Sequence, residues 1–412
     1  MSGTVSSIPS LRGLAGVMGT ALLLLAACGP GTQPAAPTAA PKPTTPPAPT
    51  AQPAAPTQAA SVARPASTGA PAAPAISSTG PFAGEAQTLN AAGATFPAPL
   101  YQKWFDDYSK MTGVQVNYQP IGSGGGIKGI QDQTIDFGAS DAPMTDEQLK
   151  DAKGGELVHI PTALGAIVPT YNLPGNPGLK LKFTGDTLAG IYLGDIQRWN
   201  DPKLVADNPD LASIDQDIVV VHRSDGSGTT FGWTDYLSTV NRDWQQKVGK
   251  GTSVNWPVGL GGSGNPGVAA EVQQNPYSIG YVELIYAIQN NLGYGMVKNH
   301  AGTFIDPTLD SVTAAASASA QNIPPDLRFS IVDAPGDGSY PISTATWLLA
   351  YKSLTDQAKA VALTRLLWWA THDGQKVNKD LAYATVPDTL TARSEQFIRQ
   401  ITVNGKPAFP EK

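Results

Sequence analysis

One cysteine, Cys28, stands in the whole chain of 412 residues, so no disulfide can form within it. Histidine is nearly as scarce, and His159, His222, His300 and His372 show no metal-ligand spacing. Basic side chains are in the minority. The first 85 residues hold three of the 27 Lys and Arg and one of the 33 Asp and Glu, which leaves 24 against 32 in residues 86–412, a formal charge of −8. A nucleic-acid binder shows a basic excess or stripe, and this chain has neither. Also missing are a Gly-x-Ser-x-Gly elbow and a Gly-Lys-Ser/Thr element at Walker spacing, which removes the signatures of an α/β-hydrolase and a P-loop enzyme. No apolar run is long enough to span a bilayer.

The N-terminus carries the longest apolar stretch. Met1 to Ala27 has one charged side chain, Arg12, and ends in Leu22-Leu23-Leu24-Leu25-Ala26-Ala27, the pattern of a secretory signal at 1–27. Leu25-Ala26-Ala27-Cys28 resembles the bacterial lipobox, which implies a lipidated Cys28 and an extracytoplasmic chain anchored to the membrane through lipid alone. Residues 28–85 are then a Pro/Ala/Thr-rich tether with no apolar periodicity, too poor in burial to offset chain entropy. Extended as polyproline it reaches roughly 180 Å. Residues 86–412 are long enough for two domains.

The clearest chemistry lies at Ile218 to Thr230. A β-branched run, Ile218-Val219-Val220-Val221, feeds Arg223-Ser224-Asp225-Gly226-Ser227-Gly228-Thr229 and then an apolar, aromatic helix. Helix N-termini offer unpartnered N–H groups and partial positive charge, Ser227 and Thr229 add hydroxyls, and Arg223 adds a charged fork that Asp225 can orient. An ordinary capped helix explains the Ser and Gly residues equally well, and this segment alone leaves both readings open.

Further strand ends and helix starts repeat the theme. Thr95 reads as a cap with Pro97 in the first turn of a helix whose Leu100, Trp104 and Tyr108 face the core up to Gly113. A strand at Val114–Tyr118 runs into the Gly-rich loop Gly122-Ser123-Gly124-Gly125-Gly126, which suits either an anion or a mobile turn. Ile135–Ser140 reads as a strand ending at Asp141, and a capping box follows at Thr145 to Gln148. Leu164–Tyr171 and Ile342–Tyr351 are strand-like runs able to join two lobes. Between them, Leu188 to Trp199 suggests a helix that Asp201-Pro202 stops. Gly259, Gly261 and Gly264 match GxGxxG formally, without a clear strand before them or a helix opening on the last glycine, which argues against a dinucleotide. Ser278–Val282 reads as a strand, Ala358 to Thr371 as a helix, and Ser394 to Ile401 as helical. Strands alternating with helices predict an α/β chain with parallel sheets covered on both faces and ligands at the carboxyl ends of strands.

Several of these motifs occur together in one family. Gly93-Ala94-Thr95-Phe96-Pro97-Ala98-Pro99, Asn117-Tyr118-Gln119 with Gly122-Ser123, Asp136 to Pro143, Arg223 with Asp225 to Thr229, Trp256 to Gly262 and Gly280-Tyr281-Val282-Glu283 resemble, in order, the phosphate-binding proteins of the phosphate-specific ABC transporter. The resemblance implies a two-lobed periplasmic-binding-protein (venus-flytrap) fold, type II-like, with a two-strand hinge, lobe I being 86–171 plus 341–412 and lobe II 172–340. It implies that inorganic phosphate is held by Thr95, the Phe96 N–H, Ser123 and Asp141 from one lobe and by Arg223, Ser227, Gly228 and Thr229 from the other, with Asp225 behind Arg223. It implies no cofactor, no metal and no catalysis, a monomer, and permease subunits of an ABC transporter as partners. Gly124 stands where the family commonly has a second Ser, and His222 where it has Arg.

The site chemistry also has a reading of its own. Phosphate near neutral pH keeps a proton and sulfate does not, while an ionised carboxylate only accepts. Asp141 among so many donors is therefore expected to favour phosphate and repel a fully deprotonated oxyanion. The rival readings are a receptor for another oxyanion and a phosphate-ester hydrolase. His222, Asp225 and Ser227 lie too close in sequence to form a nucleophilic relay easily.

Overall fold

The computed structural model describes residues 82–176 and 178–409, all within one compact unit. The signal at 1–27, Cys28 and the tether up to residue 81 lie outside the described residues.

The strands that matter are β1 (Thr88–Gly93), β2 (Gln115–Gln119), β3 (Phe137–Ser140), β4 (Leu157–Asn172), β5 (Val219–Arg223), β6 (Leu260–Gly262), β7 (Ser278–Glu283) and β8 (Ser343–Tyr351). They form one sheet in the order β2-β1-β3-β8-β4-β7-β5-β6, and Gly293–Tyr294 pairs further with β4. The outer strands match the expected parallel arrangement: β1 pairs parallel with β2 and β3, and β5 with β6 and β7. The centre does not. β8 runs antiparallel to β3 and β4, and β4 antiparallel to β7, because β4 and β8 traverse the molecule between its halves.

β4 is the shared element. Its first part, up to Ala166, pairs with β8, and Ile167 to Asn172 pair with β7. It is 16 residues long and buried except at Asn172, although His159, Thr162 and Thr170 interrupt its apolar residues. Pro161 cannot donate to the ladder, and opposite it the register of β8 shifts between Thr346 and Trp347. The bulge leaves the Thr162 hydroxyl donating to the Thr346 carbonyl at 3.2 Å.

Helices close both halves. α1 (Ala98–Thr112) buries Leu100, Tyr101, Trp104, Phe105 and Tyr108 and stops at Gly113 in the left-handed conformation (φ 82°). Pro97 holds the cap position, so Thr95, two residues earlier, makes no cap, and its hydroxyl accepts the Asn265 N–H instead. Ser123 to Gln131 form α2, so the expected Gly-rich loop is the first turn of a helix. A Cβ at Gly126 would lie 2.5 Å from the Ala139 carbonyl and 2.7 Å from Gly93 Cα, so glycine lets α2 sit directly on β1 and β3. The capping box at Thr145 and Gln148 is present. The helix expected at 188–199 spans Gly185–Leu193 and ends at Gly194, while Asp201 accepts the Lys203 N–H and opens a turn at Pro202 where a stop was read. The tail helix begins earlier than expected, at Asp388.

Aromatic cores anchor the two ends of the sheet. Tyr101 stacks on Trp104, which meets Trp369 edge-on. At the other end Trp233 stacks on Tyr281 and Tyr192 meets Trp233 edge-on.

Candidate anion-binding site

Two helix starts face each other across the middle of the sheet. β5 delivers Arg223 as its last residue, and α3 (Gly228–Val240) opens five residues later with Ser227 as its cap, accepting the Thr230 N–H at 3.0 Å. The Arg223 side chain is 1% exposed, so it needs a partner, and Asp225 supplies one in bidentate form: Nε to Oδ1 at 2.7 Å and Nη2 to Oδ2 at 2.5 Å. Asp225 Oδ1 also accepts the Gly264 N–H at 2.9 Å. Burial pushes Asp225 upward, but hydrogen bonds and charge from Arg223 outweigh it and hold the carboxyl below the usual range.

Opposite stands the start of α2. Ser123 Oγ accepts the N–H groups of Gly228 at 3.0 Å and Asp141 at 3.2 Å, and donates to Asp141 Oδ2 at 3.4 Å. Asp141, just past β3, is buried, and Oδ1 takes the Thr346 hydroxyl at 2.9 Å. Burial raises its carboxyl to about 7, against the pull of the Thr346 hydroxyl, the Arg223 charge and the Ser123 hydroxyl.

The segment between β1 and α1 is held by three tyrosines. Tyr118, Tyr286 and Tyr383 donate their hydroxyls to the carbonyls of Ala94, Thr95 and Phe96 at 2.6, 2.5 and 2.6 Å. Three successive carbonyls thereby have partners away from an anion. Tyr286 follows β7, on the Arg223 side of the molecule, and so reaches Thr95 across the interface.

The structure thus brings Thr95, Ser123, Asp141, Arg223, Ser227, Gly228 and Thr229 into one buried cluster, with Phe96 buried beside Thr95. The two sides touch: Gly124 N–H donates to the Gly226 carbonyl at 2.9 Å, and a Cβ at Gly228 would come within 2.6 Å of Asp141 and Ser123. Thr95 and Asp225 also line a largely apolar cavity with Ile121, Tyr286 and Leu381, while Ser123, Asp141, Arg223 and Thr229 lie outside that lining. Lys128 is not part of the cluster; it is exposed on α2 and pairs with Asp132. At the two departures from the family pattern, Gly124 meets Gly226 closely and His222 stacks on Trp256 at 4.8 Å. Among the described residues no group of three or more His, Cys, Asp or Glu is placed to hold a metal ion.

The sequence assigns no role at the site to three participants. Thr346 lies inside an expected strand with nothing to mark it. The Tyr281 hydroxyl accepts the Arg223 N–H at 3.1 Å and shares a hydrogen bond with Thr230. Asn265 closes the glycine stretch that begins at Gly259. That stretch does contain a strand, β6, and a helix, α4 (Gly264–Gln274), but the Gly264 N–H is directed at Asp225.

A fixed guanidinium, opposed helix starts, hydroxyl donors and one carboxylate are what a small, singly protonated oxyanion requires. A family model described as a PBP superfamily domain matches residues 54–364. The phosphate-binding protein PstS of Haemophilus influenzae Rd is 46% identical over 318 residues, covering 77% of this chain and 94% of that protein. PstS of Xylella fastidiosa Temecula1 is 44% identical over 325 residues, covering 78% and 88%. The chain belongs to the PstS family. Its architecture is the mixed α/β, two-lobed fold of periplasmic binding proteins. Among solved structures, a DING protein superposes with a TM-score of 0.61 at 19% identity, covering 77% of this chain and 99% of that one. The phosphate-bound periplasmic protein PfluDING does so with 0.58 at 20%, covering 74% and 92%. At these identities the likeness speaks for the fold.

Proposed function

We propose that this chain is an extracytoplasmic receptor for inorganic phosphate that delivers its ligand to the permease subunits of an ABC transporter. Thr95, the Phe96 N–H, Ser123 and Asp141 contact phosphate from lobe I (86–171 and 341–412); Arg223, Ser227, Gly228 and Thr229 contact it from lobe II (172–340), with Asp225 fixing Arg223. The chain acts as a monomer and turns nothing over.

The observation that carries this reading is Asp141, a buried carboxylate set among donors. A single proton shared between Asp141 and the ligand satisfies it, and above about pH 7, where Asp141 is ionised, an oxyanion without a proton leaves two negative oxygens facing each other. Calorimetry on the globular part is expected to give micromolar or tighter phosphate binding and weak sulfate competition. Equal affinity for the two anions would remove the selectivity argument and favour a general oxyanion receptor.

The signal at 1–27 and the lipobox-like Leu25-Ala26-Ala27-Cys28 support a lipid anchor on Cys28, with the tether ending before the expected residue 85, because Glu85 is buried against Arg365 and Phe82 lies against the same guanidinium. Mass analysis of the mature N-terminus tests this; an unmodified Cys28, or a mature chain starting elsewhere, would contradict it.

A further inference from the structure

Asn265, the second residue of α4, is fully buried, and all its side-chain polar atoms serve the site's framework. Its Oδ1 accepts the Glu283 backbone N–H at 2.9 Å. That group can only donate, so the amide has one orientation and Nδ2 faces the two threonines. Nδ2 donates to Thr95 Oγ1 and to Thr229 Oγ1, both at 3.0 Å, and so joins one hydroxyl from each side of the cluster. Each oxygen takes a second donor: Thr95 the Asn265 N–H at 3.1 Å, Thr229 the Arg223 Nη1 at 3.4 Å. A hydroxyl has two acceptor lone pairs and one proton. In both threonines the acceptor positions are filled and only the proton remains to be given.

We propose that Asn265 is a positioning residue that makes Thr95 and Thr229 obligatory donors, so that the ligand's proton must go to Asp141. The inference rests on the phosphate reading above and extends it from which groups line the site to which way their protons point. A phosphate bearing one proton more than Asp141 can take meets hydroxyls that cannot turn to accept it. Wild-type affinity therefore falls as pH drops, both because Asp141 itself takes a proton and because that second proton is added, and only the second part depends on Asn265. Without Asn265 each hydroxyl is free to rotate, which weakens binding of the less protonated ion but tolerates the more protonated one.

The test is calorimetric titration of inorganic phosphate into the wild type, Asn265→Ala and the isosteric Asn265→Asp between pH 5 and 8, with thermal melts to establish folding. Asn265→Ala is expected to bind on the order of ten- to a hundredfold more weakly at pH 8, the scale of hydrogen bonds to a charged group, and to lose less affinity toward pH 5 than the wild type. Asn265→Asp is expected to be weaker still at pH 8, because its carboxylate draws both hydroxyl protons to itself; it also serves if the alanine variant does not fold. Wild-type affinity in the variants, or a loss by the same factor at every pH, would overturn the role assigned to Asn265. A wild type that does not bind phosphate would overturn the functional reading beneath it, and the two failures are distinct.

Discussion

Asp141 and Arg223 are both buried ionisable groups, but only Arg223 has an opposite charge at hydrogen-bond distance. Arg223 is tied to Asp225 by two hydrogen bonds, so removing it deprives the site of its cation and leaves Asp225 facing the cluster. Arg223→Ala is expected to weaken phosphate by a hundredfold or more, and Lys128→Ala by less than about twofold, in parallel calorimetric titrations. Asp141, raised to about 7 from an ordinary 3.8, holds a proton in the folded, ligand-free chain that the unfolded chain releases between those values. Its contribution to stability is therefore complete below about pH 4 and is lost as pH rises through 7. Ligand-free Asp141→Asn is expected to melt above wild type at pH 8, with the gap closing toward pH 4 in thermal scans; a gap independent of pH would contradict the cause given. Arg223, Asp225 and Ser227 were legible because they sit within five residues on one turn. Asn265 was not, since its partner Thr95 is 170 positions away and no local pattern encodes that meeting.

Elements with strong periodicity were the readable ones. The alternation of Val114, Val116 and Tyr118 fits β2, and the stripe Leu100, Trp104, Tyr108 fits α1. The Gly run at 122–126 misled because glycine disfavours helix by about 1 kcal/mol per residue, a preference overridden by packing that admits no Cβ. β6 was missed because three residues with two glycines carry no β signal. These glycines separate folding from function. Gly126→Ala places a methyl against backbone that cannot yield and is expected to destabilise the ligand-free protein by roughly 1–3 kcal/mol in denaturant titrations. Gly228→Ala places one against Asp141 and Ser123 across the interface, so its expected effect is weaker phosphate binding with a smaller change in stability. The reverse ordering would mean that the two sides do not meet as described.

Across the whole molecule the charge opposes the ligand. Residues 86–412 carry a formal −8, so a phosphate ion approaching from a distance is repelled and is held only by local donors. Added inert salt screens that repulsion and is expected to speed association in stopped-flow measurements; a steep slowing would indicate electrostatic steering that the overall charge does not supply. Two lobes were legible from two strand-like runs far apart in sequence, but the central antiparallel pairing was not, because alternation of strand and helix predicts parallel neighbours and the strands that cross between the halves depart from it. The three tyrosines that hold Ala94, Thr95 and Phe96 carry one more consequence. Tyr118 and Tyr383 belong to the same side as those carbonyls, whereas Tyr286 arrives from the other, so its hydrogen bond exists only where the two sides meet. If phosphate draws the two sides together, its addition is expected to shift the near-ultraviolet absorption of the unlabelled protein, and an unchanged spectrum on saturation would mean that this contact is already made without ligand.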